Sequence, residues 1–149
     1  MRKVLSAVGA AAIAIAVVGV GFQASSSASA GRTLKFSTKQ SSFTPIDVAP
    51  TGHSAGDGLV VAGHIVRDGA RDGISTAQCT FTSISAPVVT ICEVDYALTR
   101  GTITTRAIST GHGLEAVVTG GTGLYTGVGG YGAITPTESG TDVVLHLLG

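Results

Sequence analysis

The chain has 149 residues, a formal net charge of zero, only 12% charged residues and 22 glycines. Length and composition point to one domain, and the scattered basic residues form no stripe that would fit a nucleic acid. The charged fraction is about half the usual quarter, so part of the surface is expected to be covered by something other than water.

The first thirty residues read as a targeting segment. Arg2 and Lys3 precede an apolar run of Ala, Val, Ile and Gly over residues 4–22, and Gln23 to Ser29 are polar and small. Ala28-Ser29-Ala30 is an A-x-A cleavage site, which predicts a secretory signal peptide over 1–30 and a mature domain over 31–149. The alternative, an uncleaved membrane anchor, is disfavoured by the weakly hydrophobic Ala/Gly core of the run. No stable membrane insertion is expected after cleavage. Without Arg2 and Lys3 the domain carries seven basic and nine acidic side chains.

Beyond residue 31, Thr, Val and Ile are abundant, and their branched Cβ atoms favour a pleated strand. A short first strand is expected over residues 33–36, followed by an irregular stretch over 40–58 that holds Pro45 and Pro50. Residues 59–66 read as a strand. Residues 67–73 read as a loop with two Asp-Gly pairs, a combination that accepts positive φ. Strands follow over 74–84 and 88–98, separated by Ser85-Ala86-Pro87, then over 102–108, 114–119, 127–134 and 141–148. About eight strands in up-and-down order predict an all-β, eight-stranded antiparallel barrel, whose closure removes exposed edges.

Cys79 and Cys92 are placed symmetrically about the Ser85–Ala86 bond. A hairpin centred there sets them opposite each other on one face, so an exported chain is expected to join them in a disulfide. In that register Ala77, Cys79, Phe81, Thr90, Cys92, Val94, Tyr96 and Leu98 share a face that is uncharged and is the expected interior. Glu93 and Asp95 lie on the other face, with Arg100 and Arg106 as candidate partners. Other strands are apolar on both faces, which fits an outside partly covered by neighbouring subunits and predicts a homo-oligomer.

Motifs with chemical potential are few. Gly52-His53-Ser54-Ala55-Gly56 has the G-x-S-x-G pattern of a nucleophile elbow, but the strand and helix that strain that turn are not predicted around it. Gly120-Gly121-Thr122-Gly123-Leu124-Tyr125-Thr126-Gly127 is not followed by a helix or a lysine, so a phosphate loop is not expected. Gly120, Gly121, Gly123 and Gly127 are instead expected to serve turns and bulges at a barrel corner. His53, His64, His112 and His146 show no metal-ligand spacing, and neither a metal nor another cofactor is predicted.

The stretch Ala116-Val117-Val118-Thr119-Gly120-Gly121-Thr122-Gly123-Leu124-Tyr125-Thr126-Gly127-Val128-Gly129-Gly130-Tyr131-Gly132 resembles the glycine-rich signature of allene oxide cyclases and is similar to that of plant dirigent proteins. Gly56-Asp57-Gly58-Leu59-Val60 and Arg71-Asp72-Gly73-Ile74 with Cys79 resemble further cyclase segments, so the likeness runs over most of residues 54–134. The resemblance implies an eight-stranded barrel with an apolar cavity, often assembled as a trimer, that orients an apolar substrate for cyclisation or coupling. The chain departs from the pattern in three places. The first strand, Leu34-Lys35-Phe36-Ser37, has no glutamate. Gly129 stands where dirigent proteins have arginine. Cys79, which matches a cyclase cavity cysteine, is expected in the disulfide.

The expected function is therefore a secreted barrel that binds a small apolar molecule and steers its cyclisation or coupling. Phe81, Tyr96, Tyr131 and His64 are the pocket candidates, and no catalytic residue is assigned. The alternative is a non-catalytic secreted binding or cell-surface structural protein.

Overall fold

The computed structural model describes residues 31–109 and 113–149. The expected signal segment and His112 lie outside the described residues. Eight antiparallel strands close into a barrel in chain order: β1 Arg32–Ile46, β2 Gly58–Arg67, β3 Ala70–Ser83, β4 Val89–Leu98, β5 Gly101–Ser109, β6 Leu114–Gly121, β7 Gly129–Thr137 and β8 Gly140–Leu148. Closure comes from β1 pairing with β8, so that Arg32 stands opposite Leu147 and Lys39 opposite Gly140. Among the described residues the helical structure is one 3-10 turn, Gly123–Tyr125. None of the helical segments among them is long and apolar enough to cross a membrane.

The strand count, order and direction agree with the sequence reading; two boundaries do not. The first strand does not stop near residue 36 but runs 15 residues to Ile46, well into the stretch read as irregular. Its first half pairs with β8 and its second half with β2, across a register shift between Gln40 and Ser42. Tertiary pairing here overrides the local polar composition. Pro45 is tolerated because β1 has left β8 by that point and one of its edges is free.

The expected seven-residue loop over 67–73 is also much shorter. Asp68 and Gly69 alone form the turn, with φ of 52° and 79°, which is the two-residue hairpin geometry matched to strand twist. Asp72-Gly73 lies inside β3, where β2 shifts register between Ile65 and Val66. Asp72 there accepts an ion pair from Arg67 at 2.7 Å.

Cys79 and Cys92 are opposite each other and disulfide-bonded, with Cα atoms 4.0 Å apart. This is the hairpin register read from the sequence. Ala77, Cys79, Cys92, Val94, Tyr96 and Leu98 accordingly belong to the core or pack on it.

The two ends of the barrel differ. At one end Leu34, Ile65, Leu98, Ile103, Val118 and Leu147 are buried, and Ile65 and Ile103 show no exposure at all. The 3-10 turn between β6 and β7 puts Tyr125 into this end at 1% exposure. Gly123 enters the turn at φ 60°, where a Cβ would stand 2.6 Å from the Arg100 carbonyl, so a side chain is excluded both by conformation and by space. Gly120 and Gly121 end β6 beyond a register shift in β5 between Thr104 and Thr105, and Gly127 leaves the turn at φ 76°. The guanidinium of Arg32 lies 5.1 Å from the Tyr125 ring centroid, within cation–π range.

The other end carries the β1–β2 connection, the Ser85-Ala86-Pro87 turn and the β7–β8 turn. Here the interior is open.

Candidate functional site

The open half of the barrel holds a cavity of about 550 Å³. Its walls are the inward residues of β2, β3 and β4, chiefly Leu59, Val61, Ala77, Phe81, Val94 and the Cys79–Cys92 disulfide. Across from them stand Leu114, Ile134 and Pro136. Inward and outward residues alternate along each strand, so these side chains are those predicted for one face of the β3–β4 hairpin and their counterparts on neighbouring strands. Thr90, Ser109, Thr137 and Thr141 ring the mouth. Among the described residues, no Asp, Glu, Lys, Arg or His side chain lines the cavity.

Tyr96 forms the floor. It is 1% exposed and meets Phe36 edge to face, with ring centroids 4.9 Å apart. Below this pair the barrel is filled. The Tyr96 hydroxyl is buried without a hydrogen-bond partner. Burial holds its proton well above the ordinary tyrosine range, and the Thr105 hydroxyl beside it offsets only part of that effect. Thr105 is itself engaged, donating to the Val94 carbonyl at 3.4 Å. The phenol is thus a neutral donor at the deepest point of an uncharged cup. Polar capacity elsewhere in the wall is modest: Ser75 is buried, and the Thr38 and Thr141 hydroxyls, 2.7 Å apart, satisfy each other.

The β1–β2 loop at this end of the barrel is pinned by one carboxylate. Asp57 accepts the Val48 N–H at 3.0 Å, the Ser54 N–H at 2.7 Å and the Ser54 hydroxyl at 3.0 Å. Its own N–H and carbonyl are used too, since the Phe81 N–H donates to Asp57 O at 2.8 Å. His53 sits edge-on to Phe81, with centroids 5.4 Å apart. In this arrangement the Ser54 hydroxyl donates to a carboxylate rather than to an imidazole, so the G-x-S-x-G stretch is a loop clasp and not a nucleophile elbow.

The hydrogen bonds from Val48 and Ser54 lower the Asp57 pKa below its ordinary 3.8. A carboxyl depressed in the folded state supports the loop above its unfolded pKa and ceases to do so as pH falls through the folded one. The Val48 and Ser54 amide resonances are therefore expected to titrate together, with a midpoint below 3.8. A midpoint at or above that value in an NMR pH series would remove the clasp.

Of the four pocket candidates, Phe81 and Tyr96 line the cavity. Tyr131 and His64 do not join them. Tyr131 is 58% exposed on the outer face of β7 and stacks on His146, with centroids 4.9 Å apart. His64 alternates with the inward Gly63 and Ile65 and so faces out. The residues the sequence reading missed, Leu114, Ile134 and Pro136, come from strands whose inward face was not assigned. Parity counted back from the β6 and β7 glycines could have found them.

The outer wall carries a second concavity of about 880 Å³, over β4 to β8. Ile91, Ile108, Val117, Tyr131 and Val144 give it an apolar floor, with Arg106, Glu115 and His146 among the polar side chains around it.

No family model matches the chain, and no curated protein matches it. Solved structures do. Pyocyanin demethylase superposes with a TM-score of 0.71 at 23% identity, over 78% of this chain and 99% of the other. AbnU, an exo-specific intermolecular Diels-Alderase, gives 0.63 at 16% identity over 80% and 99% of the two chains. The pterocarpan synthase dirigent protein GePTS1 gives 0.58 at 14% identity over 80% and 82%. The chain shares the barrel fold of these proteins.

Proposed function

We propose that the protein is an exported container that binds a small apolar molecule in the open half of its barrel and steers the cyclisation or coupling of that molecule. The observation that carries the reading is the uncharged cavity of about 550 Å³, open at one end and closed by Tyr96 at the other. A packed barrel would hide its apolar residues from water altogether, whereas this one keeps them around a space of the size small-ligand sites take.

The wall supports steering by shape rather than by proton transfer. A general acid or base needs a group that titrates near the working pH, and the Tyr96 phenol, held protonated, is a donor only. What remains is confinement of a flexible substrate in a reactive conformation, a contribution that can reach several kcal/mol, with the floor hydroxyl available for one hydrogen bond. Solved barrels of the same fold include an intermolecular Diels-Alderase and a pterocarpan synthase dirigent protein, which agrees with steering. That the described wall residues hold no titrating group other than Tyr96 also favours a second reading, in which the barrel binds without turnover. Export is supported by the Cys79–Cys92 bond, because disulfides persist in oxidising compartments.

The test is uptake of a solvatochromic naphthalene ketone such as prodan, read as a blue shift and gain in fluorescence. Ala77→Trp, which adds an indole to the cavity wall, is expected to weaken uptake by about tenfold or more, since overfilling a packed wall costs roughly 1–3 kcal/mol. Tyr131→Ala, on the outer face, should leave uptake unchanged. Equal binding by wild type and Ala77→Trp would place the dye elsewhere and sink the container. Steering and plain binding are then separated by incubating a polyene-type substrate with the protein and following product stereochemistry.

A further inference from the structure

The floor of the cavity holds a donor with nothing to donate to. Tyr96 stands opposite Ser75 on β3 and Ile103 on β5, and Phe36 holds its ring edge to face at 4.9 Å. Its hydroxyl is buried and has no hydrogen-bond partner. The nearby Thr105 hydroxyl is committed elsewhere, donating to the Val94 carbonyl at 3.4 Å. Buried polar groups are nearly always paired, and an unpaired one costs free energy that a partner would return. Tyr96 closes the cavity from below, so the acceptor it lacks can arrive with a guest.

The rest of the wall decides what kind of acceptor that is. Among the described residues no cationic side chain lines the cavity. A carboxylate or phosphate pushed to the floor would therefore be buried against one neutral phenol and remain uncompensated. A guest ammonium is matched no better, since among the described residues no carboxylate lines the cavity either and the phenol stays protonated. Leu59, Val61, Ala77 and Val94 offer contact but no side-chain hydrogen bond to the body of a guest. The oxygen that Tyr96 can receive is thus a neutral one, carried by an otherwise apolar molecule.

We propose that the guest is a neutral apolar molecule with a carbonyl or ether oxygen on the end that enters first, and that the Tyr96 hydroxyl donates a hydrogen bond to that oxygen at the cavity floor. This guest class rests on the container reading and narrows it. Pure hydrocarbons leave the donor unpaired, and acids and amines bring a charge that the wall cannot match. A hydrogen bond at the base also fixes which end of the guest lies deep and which faces the mouth. One approach direction is thereby favoured for a cyclisation or coupling.

The experiment is equilibrium dialysis of 2-acetylnaphthalene and of 2-isopropenylnaphthalene against the protein produced from its full-length sequence. The two probes differ in C=O against C=CH2 at the same position. The alkene is the more hydrophobic, so the ratio of the two affinities, and not either one alone, reports the hydrogen bond. Tyr96→Phe keeps the ring and removes the donor. It is expected to shift that ratio toward the alkene by about tenfold, since the carbonyl is then buried without a partner. 2-Naphthoate should bind the wild type at least about tenfold more weakly than the ketone. Guest-free Tyr96→Phe should melt at or above the wild-type temperature, because it loses an unpaired buried donor and no hydrogen bond.

If both probes bind and Tyr96→Phe leaves their ratio unchanged, the acceptor subsite is overturned while the container stands. Uptake of neither probe by the wild type overturns both. A clearly lower melting temperature for guest-free Tyr96→Phe would mean that a protein acceptor already takes the hydroxyl, and overturns the subsite as well. Naphthoate bound as tightly as the ketone overturns the neutral guest class.

Discussion

Replacing Tyr125 by alanine should cost about 3–5 kcal/mol of folding stability and lower the melting temperature by roughly 10–20 °C. Tyr125 is 1% exposed and is delivered into the packed end of the barrel by a turn of only three residues. Neighbouring side chains cannot collapse into the space it would leave, because they sit on strands whose register is fixed on both sides. Its ring also faces Arg32 at 5.1 Å, so the start of β1 loses a contact as well. Tyr125→Phe keeps the ring and should recover nearly all of the stability. Thermal unfolding followed at a far-ultraviolet wavelength distinguishes the three proteins. A loss below about 1 kcal/mol for the alanine variant would mean that the closed end is not a packed plug.

The Cys79→Ala/Cys92→Ala double variant is expected to lose about 3 kcal/mol, the loop-closure value for a link spanning some fifteen residues. The bond here closes a separation of 13 residues. Its effect should be local to the mouth, since the link ties the β3–β4 hairpin near the rim, and the turn beyond it has no other covalent restraint. Urea unfolding measures the loss. Prodan uptake by the same variant shows whether the cup keeps its shape when the hairpin is freed. Unchanged stability in the double variant would indicate that pairing of β3 with its two neighbours already restrains the hairpin fully.

These two predictions concern parts of the chain that were unequally legible. The hairpin was readable because Cys79 and Cys92 are equidistant from a proline turn, which fixes register and inward face at once. Tyr125 was not, since it lies in a glycine-rich run that has no alternating pattern to assign it to a face. The second half of β1 was missed for a related reason: Gln40, Ser41 and Ser42 carry no apolar alternation, and only pairing with β2 makes them a strand. Asp72-Gly73 looked like a turn because its chemistry suits one, yet Asp68-Gly69 had already reversed the chain.

Site residues followed the same division. Phe81 and Tyr96 were found because the disulfide assigned their face. Tyr131 and His64 lie on strands whose inward face the sequence leaves unassigned, and parity sends both outward.

The start of β1 and the end of β8 pair with each other at the plugged end, Arg32 against Leu147. Anything joined to either strand terminus, whether a surface tether, a second module or an affinity handle, would therefore hang from the base of the cup. An anchored copy would stand upright with its rim facing the medium, and immobilisation through either terminus should leave loading and release of a guest unobstructed.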